Sequence, residues 1–157
     1  MYRMAHGKVN VGDMAPDIHA VDINGEHFIL KDRRMKNNVV IFFYRSSECS
    51  TCLGELKSLK MAYDRLKKQG VEIVAISAED SLPAKRMSNE NKLPFPVISD
   101  LSKRSIHDYG VYDKSTDMPF ITLFIIDRGG VVRYKKHING LEDMFNAEDI
   151  VEKIQNI

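Results

Sequence analysis

The run Asn38-Val39-Val40-Ile41-Phe42-Phe43-Tyr44, continued by Arg45-Ser46-Ser47-Glu48-Cys49-Ser50-Thr51-Cys52, is the part of the sequence on which the fold turns. From Val39 to Tyr44 every residue is β-branched or aromatic, which predicts a strand over 38–44 buried on both faces. Past the cysteines the period changes. Leu53, Leu56, Leu59, Tyr63 and Leu66 recur at spacings of three and four, with Lys57, Lys60, Asp64, Lys67 and Lys68 between them. That pattern predicts an amphipathic helix ending near Gly70. The two cysteines therefore lie where a buried strand gives way to a helix N-terminus.

Working outward, the apolar runs 18–23 and 27–30 flank the turn pair Asn24-Gly25 and predict an N-terminal β-hairpin. Residues 71–77 read as a second buried strand, 81–91 as a helix, 97–99 as a short strand after Pro94 and Pro96, and 102–109 as a short helix closed at Gly110. Residues 120–126 and 131–137 are predicted strands joined across Arg128-Gly129-Gly130, and a helix covers about 147–154. Strand–helix–strand early and strand–strand–helix late predict an α/β fold, a central mixed β-sheet flanked by helices on both faces. No repeat, low-complexity tract or linker divides the chain, so residues 1–157 are read as one domain.

Composition narrows the class. The chain has 157 residues, 43% hydrophobic and 29% charged, the profile of a globular protein able to bury a core. A net charge of +1 gives no basis for recruiting nucleic acid or an anionic membrane. No apolar run approaches the length of a bilayer span. The N-terminal MYRMAHGKVN is polar and lacks the apolar segment of a signal peptide, so the expected compartment is the cytoplasm. Two cysteines are too few for a disulfide-stapled secreted scaffold, and in a reducing cytosol a close pair points to redox chemistry or metal binding. Zinc is the poorer account, because a structural site wants four ligands and the sequence holds no second C-x-x-C and no His-x-His. No cofactor is expected.

Unpaired N–H groups and the dipole at a helix N-terminus favour a thiolate, the nucleophile of both peroxide reduction and disulfide exchange. Arg45 adds a fixed positive charge and Glu48 opposes it. Two cysteines across the first helical turn can close a small disulfide ring, one attacking and the other resolving. Arg45 is a candidate for orienting peroxide or stabilising thiolate. Glu55 is a candidate for fixing the loop through a hydrogen bond or for pairing with Arg45. Phe120 is a candidate wall near the site. The scattered methionines and the lysine face of the long helix read as ordinary core and solvent surface.

Gly12-Asp13-Met14-Ala15-Pro16-Asp17, then Asn24-Gly25, then Val40-Ile41-Phe42-Phe43-Tyr44-Arg45 ahead of C-x-x-C, resemble the peroxiredoxins of the alkyl hydroperoxide reductase/thiol-specific antioxidant (redoxin) superfamily. The variant most resembled carries Tyr-Arg ahead of a C-x-x-C site. Ala75-Ile76-Ser77-Ala78, Phe95-Pro96-Val97-Ile98-Ser99-Asp100, Tyr109-Gly110-Val111 and Phe124-Ile125-Ile126-Asp127 before Gly129-Gly130 extend the resemblance over nearly the whole chain. It implies a thioredoxin-like fold and an antioxidant thiol-dependent peroxidase acting on hydrogen peroxide or organic hydroperoxides. Laid on the peroxiredoxin pattern Pro-x-x-x-Thr/Ser-x-x-Cys, it implies Cys52 as the peroxidatic cysteine, because Cys52-Leu53-Gly54-Glu55 reproduces the Cys-x-x-Glu of that family. Cys52 would become a sulfenic acid and be resolved as a Cys49–Cys52 disulfide. The Thr/Ser position is here Cys49, the Pro position is Arg45, and the arginine expected ahead of the Phe-Ile-Ile-Asp strand is replaced by Ile121. The resemblance also implies a thioredoxin- or glutaredoxin-like reductant and a homodimer.

The same stretch is similar to thioredoxin-type oxidoreductases. On that template Cys49 is the nucleophile and Cys52 the resolving thiol, the substrate is a disulfide, and a cis-proline faces the pair near Ile121, with Pro119 two residues away. A third reading is a non-catalytic thioredoxin-fold binding module that keeps a vestigial thiol pair. His107 and His137 suggest a metal only through copper-chaperone relatives that space their cysteines by three residues. Here the spacing is two, so ordinary histidines are expected.

Overall fold

The computed structural model describes residues 9–157; the polar stretch 1–8, on which the signal-peptide reading rests, lies outside the described residues. Strands β1 (His19–Val21) and β2 (His27–Ile29) pair antiparallel across the Asn24-Gly25 turn as expected, with Gly25 at φ +84°, where a side chain is strained. A 3-10 turn, Leu30–Arg33, leads into β3 (Asn38–Phe43). Helix α1 (Ser50–Lys68) returns the chain to β4 (Val71–Ser77), which lies parallel to β3. Helix α2 (Ser81–Glu90) and β5 (Val97–Ser99) follow, and β5 extends the sheet parallel to β4. Next come α3 (Arg104–Asp108) and a small antiparallel ribbon of β6 (Tyr112–Asp113) and β7 (Met118–Pro119). Strands β8 (Thr122–Ile126) and β9 (Val132–His137) and helix α4 (Ala147–Gln155) close the chain.

The five-stranded sheet runs β5-β4-β3-β8-β9, with β8 antiparallel to β3 and β9 antiparallel to β8. This is the mixed sheet predicted, and its order explains why β3 shows no polar alternation. Val40 and Phe42 face a core shared with Leu56, Leu59 and Leu66 of α1, Met87 of α2 and Ile150 of α4. Val39, Ile41 and Phe43 face a second core with Phe28, Ile106 of α3 and Tyr109. A central strand covered on both sides has no polar face to present.

The boundaries move where capping overrides side-chain period. Helix α1 starts at Ser50, ahead of the leucine pattern, because helix formation begins at the Cys49 cap and burial of side chains only later. The predicted helix over 102–109 shortens to α3. Lys103 sits at φ +61°, and the Asp100 carboxylate accepts the Ser105 N–H at 3.0 Å. The strand predicted from 120 begins at Thr122, since the Phe120 N–H turns away to the Val111 carbonyl at 2.7 Å. The β6–β7 ribbon is an addition, made of two-residue strands too short to show a period. Helix α4 opens on a capping box between Asn146 and Asp149, which sets its first turn independently of packing.

Candidate active site

The thiol pair is placed by the passage from β3 to α1. The Tyr44 N–H still belongs to the sheet, donating to the Ile76 carbonyl at 3.0 Å, and the chain leaves the sheet at Arg45. Cys49 is the N-cap of α1, and its Sγ accepts the Cys52 N–H at 3.2 Å. The Sγ atoms of Cys49 and Cys52 are joined in a disulfide, with the Cα atoms 5.2 Å apart. The two sulfurs differ in exposure. Cys52 is completely buried at 0%, whereas Cys49 is half-buried at the surface. Cys52 Sγ also accepts the Arg45 N–H at 3.4 Å. Both sulfurs thus sit against backbone donors at the positive end of a helix, a setting of the sign that stabilises an anion, while burial of Cys52 in the core acts in the opposite direction.

Arg45 and Glu55, the other two residues singled out, go separate ways. The Arg45 guanidinium lies 3.5 Å from Asp113 Oδ2 on β6, and both side chains are largely buried. Asp113 in turn accepts from Ser115 Oγ at 2.7 Å and Thr116 Oγ1 at 2.9 Å, and these hydrogen bonds, Ser115 first, hold its carboxyl below the usual range. Glu55 points into the core. It is 0% exposed, its Oε2 accepts the Phe145 N–H at 3.0 Å, and its Oε1 has no hydrogen-bond partner among the described residues. Burial pushes its carboxyl up to about 7, with the Phe145 N–H and Lys136 opposing and Asp149 adding to the rise. Of the two contacts expected for Glu55, the pairing with Arg45 is therefore corrected: the arginine's ion pair is with Asp113. The hydrogen bond that Glu55 makes fixes the segment before α4 and leaves the cysteine loop to other groups.

The residue that holds the cysteine loop was missed by sequence reasoning. Glu79, just past β4, accepts from both the N–H and the Oγ of Ser47, at 3.1 and 2.6 Å. Its only sequence signal is its place after a buried strand, which many surface acids share. A groove of about 410 Å³ opens beside it between α1 and α2, lined by Ser47, Glu48, Leu53, Glu79 and Arg86 among others.

Ile121, at the position where one template wants arginine and the other a cis-proline, is partly buried against the core that contains Cys52. Pro119 lies in β7, and no cis peptide bond occurs among the described residues. Phe120 is 38% exposed, with its ring centroid 5.5 Å from that of His137. His137 Nδ1 lies 2.7 Å from Thr122 Oγ1, and the His107 ring packs tilted against Tyr112, with ring centroids 4.2 Å apart.

Comparison with known proteins bears on this geometry. A model of the AhpC/TSA family matches residues 11–135. The chain is 34% identical over 127 residues to the chloroplastic peroxiredoxin Q of Arabidopsis thaliana, covering 80% of this chain and 58% of that protein. The chain spans about three-fifths of the length of the peroxiredoxin Q relatives it matches. It is 32% identical over 148 residues to the thiol-disulfide oxidoreductase ResA of Bacillus anthracis, covering 94% of this chain and 80% of that one. Among solved structures, Enterococcus faecalis AhpC superposes with a TM-score of 0.82 over 94% of this chain and 92% of its own, at 21% identity, a likeness of fold.

Proposed function

This chain belongs to the AhpC/TSA family, and on that premise we propose that it is a thiol-dependent peroxidase cycling Cys49 and Cys52 between dithiol and disulfide. The observation that carries the reading is the pairing of the two sulfurs within one helical turn, with Cys52 Sγ under the Arg45 N–H at 3.4 Å. In the first step the Cys52 thiolate attacks one peroxide oxygen. The S–O bond forms as the O–O bond breaks, the sulfur is oxidised to a sulfenic acid, and the departing hydroxide or alkoxide takes up a proton. Cys49 then attacks the Cys52 sulfur, the S–S bond forms, and water leaves. A thioredoxin- or glutaredoxin-like dithiol restores the pair and is itself oxidised to a disulfide. Backbone donors, the Arg45 N–H among them, stabilise the attacking thiolate, and the role proposed for the Arg45 guanidinium, held by Asp113, is to add positive charge to the site.

Disulfide exchange with Cys49 as nucleophile is the second reading. It is favoured by the exposure of Cys49 beside a completely buried Cys52 and by the similarity to ResA. In that case a mixed disulfide forms on Cys49 and Cys52 releases it. The compartment we propose is the cytoplasm, since two cysteines are too few for a disulfide-stapled secreted scaffold. A homodimer is the assembly proposed, to be read by light scattering.

The test adds one equivalent of hydrogen peroxide to the reduced protein and follows thiol loss by stopped flow, beside Cys49→Ser and Cys52→Ser. Oxidation far faster than that of a free thiol, lost only in Cys52→Ser, supports the peroxidase. Slow oxidation in all three overturns it in favour of exchange. A double serine variant that keeps partner binding unaltered would mark a binding module.

A further inference from the structure

The loop between β3 and α1 carries Arg45 and Cys49 and leads into Cys52 in the first turn of α1, yet few of its hydrogen bonds reach the rest of the fold. The Cys49 N–H to the Ser46 carbonyl and the Glu48 N–H to Ser46 Oγ, both 3.2 Å, are local turns. Anchorage comes at Ser47. Its N–H donates to Glu79 Oε1 at 3.1 Å and its hydroxyl to Glu79 Oε2 at 2.6 Å, with the Pro83 carbonyl 3.2 Å from the same hydroxyl. Glu79 Oε2 also lies 3.4 Å from the Tyr44 hydroxyl, a side chain that is 0% exposed. The acid is itself held. Its N–H donates to Ser77 Oγ at 3.4 Å, and its carbonyl accepts from the Ser99 hydroxyl of β5. A continuous set of hydrogen bonds therefore runs from β4 and β5 through Glu79 into the loop. Ser47 stands midway between Arg45, whose N–H reaches Cys52 Sγ, and Cys49, the helix cap.

We propose that Glu79 is a positioning residue of the thiol site, clamping Ser47 so that the Arg45 N–H stays aimed at Cys52 Sγ and Cys49 stays at the cap of α1. The inference rests on the reading that these thiols are the reactive groups. Its physical content is directional. A carboxylate acting through charge opposes a nearby thiolate, so removing it makes the thiolate easier to form. A carboxylate acting as a clamp does the reverse, because a loosened loop withdraws a backbone donor from the sulfur. Among the described residues Glu79 forms no ion pair, and its oxygens are used as hydrogen-bond acceptors. The Pro83 carbonyl gives the clamp a neutral version. In Glu79→Gln the amide oxygen can still accept the Ser47 N–H. The amide nitrogen can donate to Ser47 Oγ while that hydroxyl turns to Pro83.

The experiment titrates the reduced full-length protein in a Cys49→Ser background and reads the Cys52 thiolate by its ultraviolet absorbance across a pH series, with no peroxide present, so that access of a reagent to the completely buried Cys52 does not enter. Glu79→Ala in that background is expected to move the Cys52 titration up by about one pH unit, the size of one lost hydrogen bond to an ionised group. Glu79→Gln is expected within about half a unit of its parent. An unchanged titration in Glu79→Ala overturns the proposal. So does a downward shift in Glu79→Ala, which would mean a charge effect, or an equal upward shift in both variants. If Glu79→Ala fails to fold, Ser47→Ala keeps the Tyr44 contact and one arm of the clamp. It is expected to move the titration up by about half a unit, and no change there overturns the proposal equally. Peroxide turnover of the wild type is measured alongside. A wild type inert to peroxide with the titration shifts intact refutes the peroxidase reading and leaves the clamp standing.

Discussion

Glu55 Oε2 accepts the Phe145 N–H at 3.0 Å from a completely buried position one helical turn past Cys52. One carboxyl group therefore ties the helix that carries the thiols to the segment entering α4. Gly54 beside it packs against the Met144 methyl, 3.0 Å from where a Cβ would sit.

That burial makes stability depend on pH. The acid is raised from 4.5 to about 7 by desolvation, so the folded chain binds a proton that the unfolded chain has lost. The associated stability is complete below the unfolded value and is lost as pH rises through 7. Urea unfolding of the oxidised protein should show stability falling by about 2 to 3 kcal/mol between pH 5 and pH 8 from this group alone. Glu55→Gln should flatten that slope. Parallel pH curves for the two proteins would exclude Glu55 as the titrating group.

Unequal burial of the two sulfurs predicts unequal trapping. Cys52→Ser leaves the half-buried Cys49 and should form a stable mixed disulfide with an aromatic disulfide reagent at least about tenfold faster than Cys49→Ser, whose remaining thiol is completely buried. Release of the coloured thiol gives both rates directly. Equal rates would mean that Cys52 becomes exposed on reduction.

On the proposed peroxidase reading, the Arg45–Asp113 contact predicts coupled effects on the rate of peroxide reduction. Arg45→Met should lower the second-order rate about tenfold, or about 1.4 kcal/mol of barrier. Asp113→Asn keeps the guanidinium and loosens its support, so a loss of about threefold is expected. The double variant should be no slower than Arg45→Met, because Asp113 acts through the arginine. Additive losses would place Asp113 in a separate role.

Tyr109 shows how the N-terminal segment is tied down. Its ring is completely buried among Phe43 and Phe124, and its hydroxyl donates to the Pro16 carbonyl at 2.6 Å. Tyr109→Phe should cost about 1 kcal/mol in urea unfolding, the net worth of one such hydrogen bond. Hydrogen exchange at residues 11–18 should rise with it.

Legibility in the sequence followed the range of the interaction. Strand β3 announced itself because a strand covered on both faces needs apolar residues at every position, and the leucine period of α1 followed from one face packing on the sheet. Cys49 and Cys52 were legible for the same reason, since a C-x-x-C at the junction of such elements falls on a helix N-terminus whatever surrounds it. What the amino-acid order determined by itself was thus the alternation of elements, the mixed α/β architecture and the identity of the thiol pair. The tertiary structure alone decided the partners. Arg45 meets Asp113 across a sequence separation of 68, Ser47 meets Glu79 across 32, and Glu55 meets Phe145 across 90. Nothing local encodes such pairings, because a single charged or polar residue has the same propensity on a surface as beside a cysteine sulfur. Only the closing of the sheet in the order β5-β4-β3-β8-β9, with helices packed on its faces, determines which of them come within hydrogen-bond reach.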